Sequence, residues 1–76
     1  MVKMKNITLI DGKISMDCYK EGDSENHFHL IVDANTFEVI STTLSRPSIY
    51  SRQAVQKIMA LSQEGALPEE AISVWC

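Results

Sequence analysis

Residues 7–18, ITLIDGKISMDC, form the stretch of sequence that decides the fold. Asp11-Gly12 at its centre favours a two-residue type I′ turn, because Asp and Gly tolerate the positive φ angles that this turn requires. A loop of this length pairs Ile10 with Lys13, and the side chains of both strands then alternate between two faces. The apolar face of the predicted hairpin holds Ile7, Leu9, Ile14, Met16 and Cys18, and the other face holds Asn6, Thr8, Lys13, Ser15, Asp17 and Tyr19, with Ile10 as an apolar exception.

A second antiparallel hairpin is predicted from residues 27–42. Its turn lies at residues 33–36, DANT, since Asp and Asn side chains bond to nearby backbone groups. A four-residue loop there would pair Val32 with Phe37. Residues 20–26, KEGDSEN, are polar and aperiodic, and we expect them to be a mobile connection between the two hairpins, which together make a four-stranded antiparallel meander. The third strand places Phe28, Leu30 and Val32 on one face and His27, His29 and Ile31 on the other.

Residues 33–40, DANTFEVI, resemble the D-x-x-T-G-E-V hairpin of PepSY-type domains. The resemblance covers this hairpin alone, and Phe37 stands where the pattern has Gly. It implies a strand, a turn and a second strand at this position. No activity, cofactor or partner is carried over from it.

The hydrophobic period changes after Arg46-Pro47, where the proline disfavours helical geometry for the residue before it. From Ser48 or Ser51 to Glu64, apolar side chains recur along one helical face. Serine is a favourable N-cap, and Gly65 occupies the position where many helices end in a left-handed residue. The pattern therefore predicts one amphipathic helix after the sheet.

The last part of the chain predicts two short elements. Residues 67–70, LPEE, resemble a helix start of one turn, with Pro and acidic side chains in the first turn. Residues 72–75, ISVW, alternate and predict a short extended segment. The predicted fold class is α+β: a four-stranded antiparallel meander with one amphipathic helix packed on one face and a short C-terminal extended segment, in one domain covering residues 1–76.

Length and charge restrict the class of partner. A core formed by 76 residues rarely supplies more than about 3–5 kcal/mol of stability, so self-association is expected. Seven basic and ten acidic residues give a net charge of −3, whereas nucleic-acid-binding proteins usually present a basic face. We therefore expect a homo-oligomer or a complex with another protein, and no nucleic-acid partner.

The sequence also indicates a compartment. It has no basic segment followed by an apolar stretch of the signal-peptide type, and no window approaches the roughly 20 apolar residues of a membrane span. Cys18 and Cys76 are far apart and lack the spacing of a metal site. These features predict a cytoplasmic protein with reduced thiols and no membrane partner.

His27 and His29 project from the same face of the third strand, a geometry that suits two metal ligands. Alternation places Asp17 on the histidine side, but an Asp–His–His set from strands is a weak pattern for a metal site. Cys18 falls on the opposite side, so a Cys–His nucleophilic pair is not indicated. Cys76 adjoins the terminal carboxylate, which disfavours a thiolate. The sequence thus predicts no catalytic residue, metal site or cofactor, with solvated strand histidines as the plainer interpretation.

Apolar residues on the polar side of the sheet suggest a docking surface. An antiparallel sheet with one face in water should not carry several large apolar groups there, although isolated exposed apolar residues are common. A terminal tryptophan can anchor an interface or close the core. Both interpretations remain open for the candidate interface residues Tyr19, Ile31, Ile40 and Trp75.

The expected function is that of a small cytoplasmic, non-catalytic accessory or protein-interaction module that uses the second sheet face or an exposed edge strand. The alternative is a metal- or small-ligand-binding regulator that uses His27 and His29. An enzyme would require His29, Asp17 and Tyr19 to meet around a cavity.

Overall fold

Residues 1–75 are the part of the chain that the structure, a computed structural model, describes. They form one antiparallel sheet with strand order β4-β3-β2-β1-β5, and one helix packs on one of its faces. The predicted α+β meander is confirmed, and the C-terminal segment adds a fifth strand to it by pairing with β1. The elements are β1 (Val2–Ile10), β2 (Lys13–Lys20), β3 (His27–Asp33), β4 (Val39–Thr42), α1 (Ile49–Gln63) and β5 (Ala71–Ser73).

The first hairpin has the predicted turn and an irregularity that was not predicted. Asp11 and Gly12 both have positive φ, 53° and 75°, and Ile10 pairs with Lys13. Between Lys5 and Thr8 the register with β2 shifts, and Asn6 there has a φ of 55°. This shift is a β-bulge, in which two residues of β1 lie opposite one residue of β2. The bulge reverses the alternation of side chains along β1, so even-numbered Val2 and Met4 join odd-numbered Ile7 in the core.

Leu9 is the one member of the predicted apolar hairpin face that does not lie in the core. Its side chain is 57% exposed, although Leu9 pairs with buried Ile14 as expected. The pair lies beside the turn, at the end of the hairpin, where Leu9 lines a surface cavity with Gly65 and Leu67. Apolar patterning predicted the face of Leu9 correctly but not its burial.

The predicted register of the second hairpin is wrong. Val32 pairs with Val39 rather than with Phe37, because Asp33 stays in the ladder and its N–H donates to the carbonyl of Glu38. The Asp33 carboxylate accepts hydrogen bonds from the N–H groups of Asn35 and Thr36 in the turn. Phe37, with a φ of 61°, is the last residue of the turn. The strand β4 is consequently short.

The helix α1 begins and ends as its sequence predicts. Ser48 is the N-cap: its Oγ accepts from the N–H of Ser51, while the Ser51 Oγ accepts from the N–H of Ser48. Gly65, with a φ of 107°, follows the C-cap Glu64. The helical turn predicted at residues 67–70 is wrong, because the Glu69 carbonyl accepts from the N–H of Ile7 and holds this segment against β1.

The core lies between α1 and the apolar face of the sheet. Burial of these side chains is the main favourable term in folding, roughly 1.5–3 kcal/mol for each large aliphatic or aromatic group. None of the helices within residues 1–75 has the length and apolarity needed to cross a bilayer. The buried hydrophobic residues are Val2, Met4, Ile7, Ile14, Met16, Cys18, Phe28, Leu30 and Val32 from the sheet, and Ala54 and Ile58 from α1.

Candidate functional site

The histidines and Cys18 lie on opposite faces of the sheet, as the alternation predicts. Cys18 is buried beneath α1, and burial, followed by the nearby negative charge of Asp17, raises the pKa of its thiol to about 12. His29 lies on the open face, opposite Asp17 on β2. Cys18 is therefore a core residue without thiolate character at neutral pH. The prediction for Cys76 concerns a residue outside the described part of the chain.

Three side chains on the open face form a hydrogen-bonded chain in the order Asp17, His29, Ser15. His29 Nδ1 lies 2.8 Å from Asp17 Oδ1, and His29 Nε2 lies 3.0 Å from Ser15 Oγ. An ionised carboxylate only accepts hydrogen bonds, so Nδ1 carries a proton. In the neutral imidazole Nε2 is then an acceptor, and the Ser15 hydroxyl donates to it. This is the connectivity of a Ser–His–Asp relay.

The bulge in β1 adds a hydrogen-bond donor to this relay. Asn6, at its left-handed position, donates from Nδ2 to Asp17 Oδ2 over 2.9 Å. This hydrogen bond, followed by the one from His29, lowers the pKa of the Asp17 carboxyl below its ordinary value. The backbone N–H of His29 also donates to Thr43 Oγ1 at 2.9 Å. We call Asn6, Ser15, Asp17 and His29 the open-face cluster.

The open-face cluster was predicted only in part. Alternation placed Asp17 on the same face as His29, but it could not give the cross-strand register that makes them direct partners. Ser15 had no motif around it, and Asn6 gained its role from a bulge that has no glycine to mark it. The same-face spacing of Ser15 and Asp17 was the one feature that could have suggested the relay.

The second histidine makes different contacts. His27 Nδ1 lies 3.2 Å from the Ser24 carbonyl oxygen, and the His27 ring is 5.6 Å from the ring of Tyr19. Lys5 Nζ lies 5.5 Å from the same tyrosine ring. Both nitrogens of His29 are engaged in the open-face cluster. Within residues 1–75, no group of three or more His, Cys, Asp or Glu side chains is arranged to hold a metal ion.

The four candidate interface residues are distributed over different parts of the molecule. Tyr19 and Ile31 are half-buried on the open face, between polar neighbours. Ile40 is 50% exposed at the irregular edge strand β4. Trp75 packs against the core and meets the Tyr50 ring edge-on, with the ring centres 5.6 Å apart. Trp75 thus lies on the helix side of the sheet, apart from Tyr19 and Ile31 on the open face.

A trough lies between the edge strand β4 and the start of α1. It consists of two adjoining cavities of about 580 and 200 Å3, which share Val39, Pro47 and Ser51. Val39 and Ile49 leave 47% and 42% of their area exposed there. The lining residues of this trough are Leu30, Val39, Thr42, Leu44, Ser45, Arg46, Pro47, Ser48, Ile49, Ser51, Arg52 and Val55.

The trough adjoins an unpaired sheet edge. Within residues 1–75, β4 is a terminal strand bonded to β3 alone, so one row of its backbone groups has no strand partner. The sequence predicted an exposed edge but not the trough, because the loop at residues 43–48 that shapes it has no periodic pattern. The available indication of the trough was Ile49, an apolar residue that lies exposed in the first turn of the helix.

A third cavity, of about 310 Å3, lies at the other end of α1 and is lined by Ile7, Leu9, Ser62, Gly65, Ala66 and Leu67. It contains no charged side chain. Comparison with protein-family models, curated protein sequences and solved structures gives no match to this chain. Its function must therefore be inferred from its own residues and geometry.

Proposed function

We propose that this chain is a non-catalytic protein-interaction module that binds an extended segment of another protein by adding it as a strand beside β4. The observation that carries the proposal is the trough next to an unpaired sheet edge. In strand addition, the main-chain groups of the edge supply hydrogen bonds, and neighbouring pockets accept alternate side chains. Both parts are present here side by side.

The exposed apolar groups at this edge support the proposal. Sheet edges are usually protected by short or bulged strands, charges, prolines or covering segments, because unprotected edges pair with other chains. The strand β4 is short and irregular, but it carries no charged residue or proline. Here Val39 and Ile40 are about half exposed on β4, and Ile49 faces the trough from α1. A segment laid along β4 would cover these side chains and satisfy the free backbone groups together.

Selection of peptides tests this proposal. A displayed library of random 12-residue peptides is panned on the chain, and the affinity of each enriched peptide is then measured in solution. We expect binders whose affinity falls at least tenfold in Val39→Asn, since this change replaces an apolar contact in the trough with a polar side chain that the bound segment would bury. Val74→Asn, at an aliphatic residue that is 75% exposed elsewhere, is the matched control and should leave the affinity unchanged.

Two outcomes would contradict the proposal. Failure to enrich any peptide is one, and enriched peptides that bind Val39→Asn and the parent chain equally well are the other. Self-association, the other expectation from the sequence, stays a prediction. Sedimentation of the parent chain and of Val39→Asn measures it, and a dimer that dissociates in the variant would make a second copy the occupant of the edge.

A second candidate function, acyl transfer at Ser15, is favoured by the hydrogen-bond order of the open-face cluster. Ser15 Oγ would attack an ester carbonyl while His29 Nε2 takes the hydroxyl proton, and the leaving alcohol would then receive that proton. Among residues 1–75, however, the cluster lines none of the three cavities, and Ser15 lies in a strand paired on both sides. The interaction function therefore ranks first.

Intact-mass measurement tests the second candidate. The Cys76→Ser chain, which lacks the terminal thiol, is incubated with p-nitrophenyl acetate and digested to locate any acetyl group. Acyl transfer requires one acetyl group on Ser15, and its formation should fall at least tenfold in His29→Gln. Acetylation confined to lysines, or equal in both chains, would remove this candidate.

A further inference from the structure

We infer that the segment bound in the trough is acidic, with carboxylates that pair with Arg46 and Arg52. This inference rests on the proposed function and specifies the chemistry of the partner. Its basis is that both arginines of the chain line the same trough, one in each of its two cavities.

The two arginines are available for a ligand. Both are exposed, and among residues 1–75 neither forms an ion pair. Guanidinium groups bind carboxylates through two parallel hydrogen bonds, which favours Arg over Lys where planar anions are recognised. The five lysines lie outside the trough lining. The distribution of basic side chains therefore separates this surface from the rest of the molecule.

The local charge of the trough is opposite to that of the whole chain. The chain has a net charge of −3, yet no Asp or Glu lines either cavity, and the first turn of α1 has no acidic residue. Glu38, just before β4, is the nearest carboxylate in sequence to the lining residue Val39. Opposite charge at a contact surface favours the correct partner and disfavours others.

This charge distribution also distinguishes between occupants. Two copies paired through β4 would bring two troughs, each with two arginines, towards each other, and like charges across an interface are unfavourable. A long polyanion would meet the acidic remainder of the chain. A short acidic segment of another protein avoids both penalties. Since the side chains of an added strand alternate between two faces, its carboxylates would face the trough and its apolar side chains the opposite face.

Three labelled peptides test the inference by fluorescence anisotropy: EVEVEVE, TVTVTVT and KVKVKVK, each blocked at both ends. They share an extended alternating pattern and differ in charge. We expect EVEVEVE to bind at least tenfold more tightly than KVKVKVK, with TVTVTVT between them, and we expect added salt to reduce the difference. A labelled oligothymidine should not bind.

Variants of the chain locate the charge effect. Arg46→Gln and Arg52→Gln should each weaken EVEVEVE binding about fivefold, as expected for a partly exposed ion pair, and leave TVTVTVT binding unchanged. Lys57→Gln, a loss of positive charge on α1 outside the trough lining, is the matched control and should change neither affinity.

The possible failures are distinguishable. Equal affinity for TVTVTVT and EVEVEVE, lost in Val39→Asn, would leave strand addition standing and overturn the acidic preference. Tighter binding of oligothymidine than of EVEVEVE would also overturn it. If no peptide binds, the acidic preference is contradicted, and the library selection decides separately whether another kind of segment occupies the trough.

Discussion

Asn6 has a left-handed backbone conformation, with a φ of 55°, and its side chain holds Asp17 across the sheet. Asn6→Ala removes the hydrogen bond and also replaces Asn by a residue that tolerates the left-handed φ less well. We expect a loss of about 2 kcal/mol in the free energy of unfolding. Asn6→Gly also removes the hydrogen bond but suits the left-handed φ, and it should cost about 1 kcal/mol. Urea denaturation measures both, and equal stability of the parent, the Ala and the Gly variants would contradict a role for the bulge.

Asp17 gives the open-face cluster a pH dependence whose sign follows from its lowered pKa. The folded state binds a proton less readily than the unfolded chain. The stabilisation is therefore present above the ordinary pKa of 3.8 and is lost as the pH falls through the folded-state pKa. Asp17→Asn should lower Tm at pH 7 by roughly 4–8 °C, the equivalent of about 1 kcal/mol.

The difference between Asp17→Asn and the parent chain should shrink as the pH is lowered below 3.8. Asp11→Asn is the control, because Asn-Gly also suits the type I′ turn and this variant keeps the cluster intact. Thermal melts followed by circular dichroism across this range measure the effect. A Tm difference for Asp17→Asn that stays constant with pH would contradict the assigned state of the carboxylate.

At the scale of elements, the cap of α1 allows a direct test. Ser48→Ala removes the acceptor for the Ser51 N–H and should destabilise the fold by about 1 kcal/mol. Ser48→Asp should retain the stability of the parent or exceed it, because a carboxylate favours the positive end of a helix whose first turn has no acidic residue. Denaturation of the two variants gives the comparison, and equal loss in both would contradict the capping assignment.

Turns and helix caps that residue type specifies could be predicted from the sequence. Strand registers that depend on an irregular backbone could not. The Asp11-Gly12 turn has residue types that specify its geometry, and this prediction is confirmed. The helix was predicted to begin at Ser48 or Ser51, and the structure has Ser48 as the N-cap. The bulge at Asn6 and the closing residue Phe37 adopt positive φ without glycine. Residue type alone did not indicate either one, so the register of the second hairpin was wrong. The pairing of Asp17 with His29 was missed for another reason, because alternation gives the face of a residue and not its cross-strand partner.

At the scale of the whole molecule, the apolar pattern predicted which face of the sheet the helix covers. The pattern alone placed Cys18 in the core and the histidines on the open face, as the structure has them. The trough could not be predicted in the same way, because it depends on how the loop from β4 to α1 crosses the edge of the sheet. Its two arginines, Arg46 and Arg52, are near in sequence, but only the tertiary structure makes them line one surface.

Hydrogen exchange at the backbone amides of the chain, measured with and without saturating EVEVEVE peptide, tests strand addition most directly. A segment paired with the free edge would slow the exchange of backbone amides in β4 (Val39–Thr42) and leave those of β5 (Ala71–Ser73), the opposite edge, unchanged. Slower exchange along β5 or across the inner strands, with β4 unaffected while the peptide is bound, would contradict the central claim.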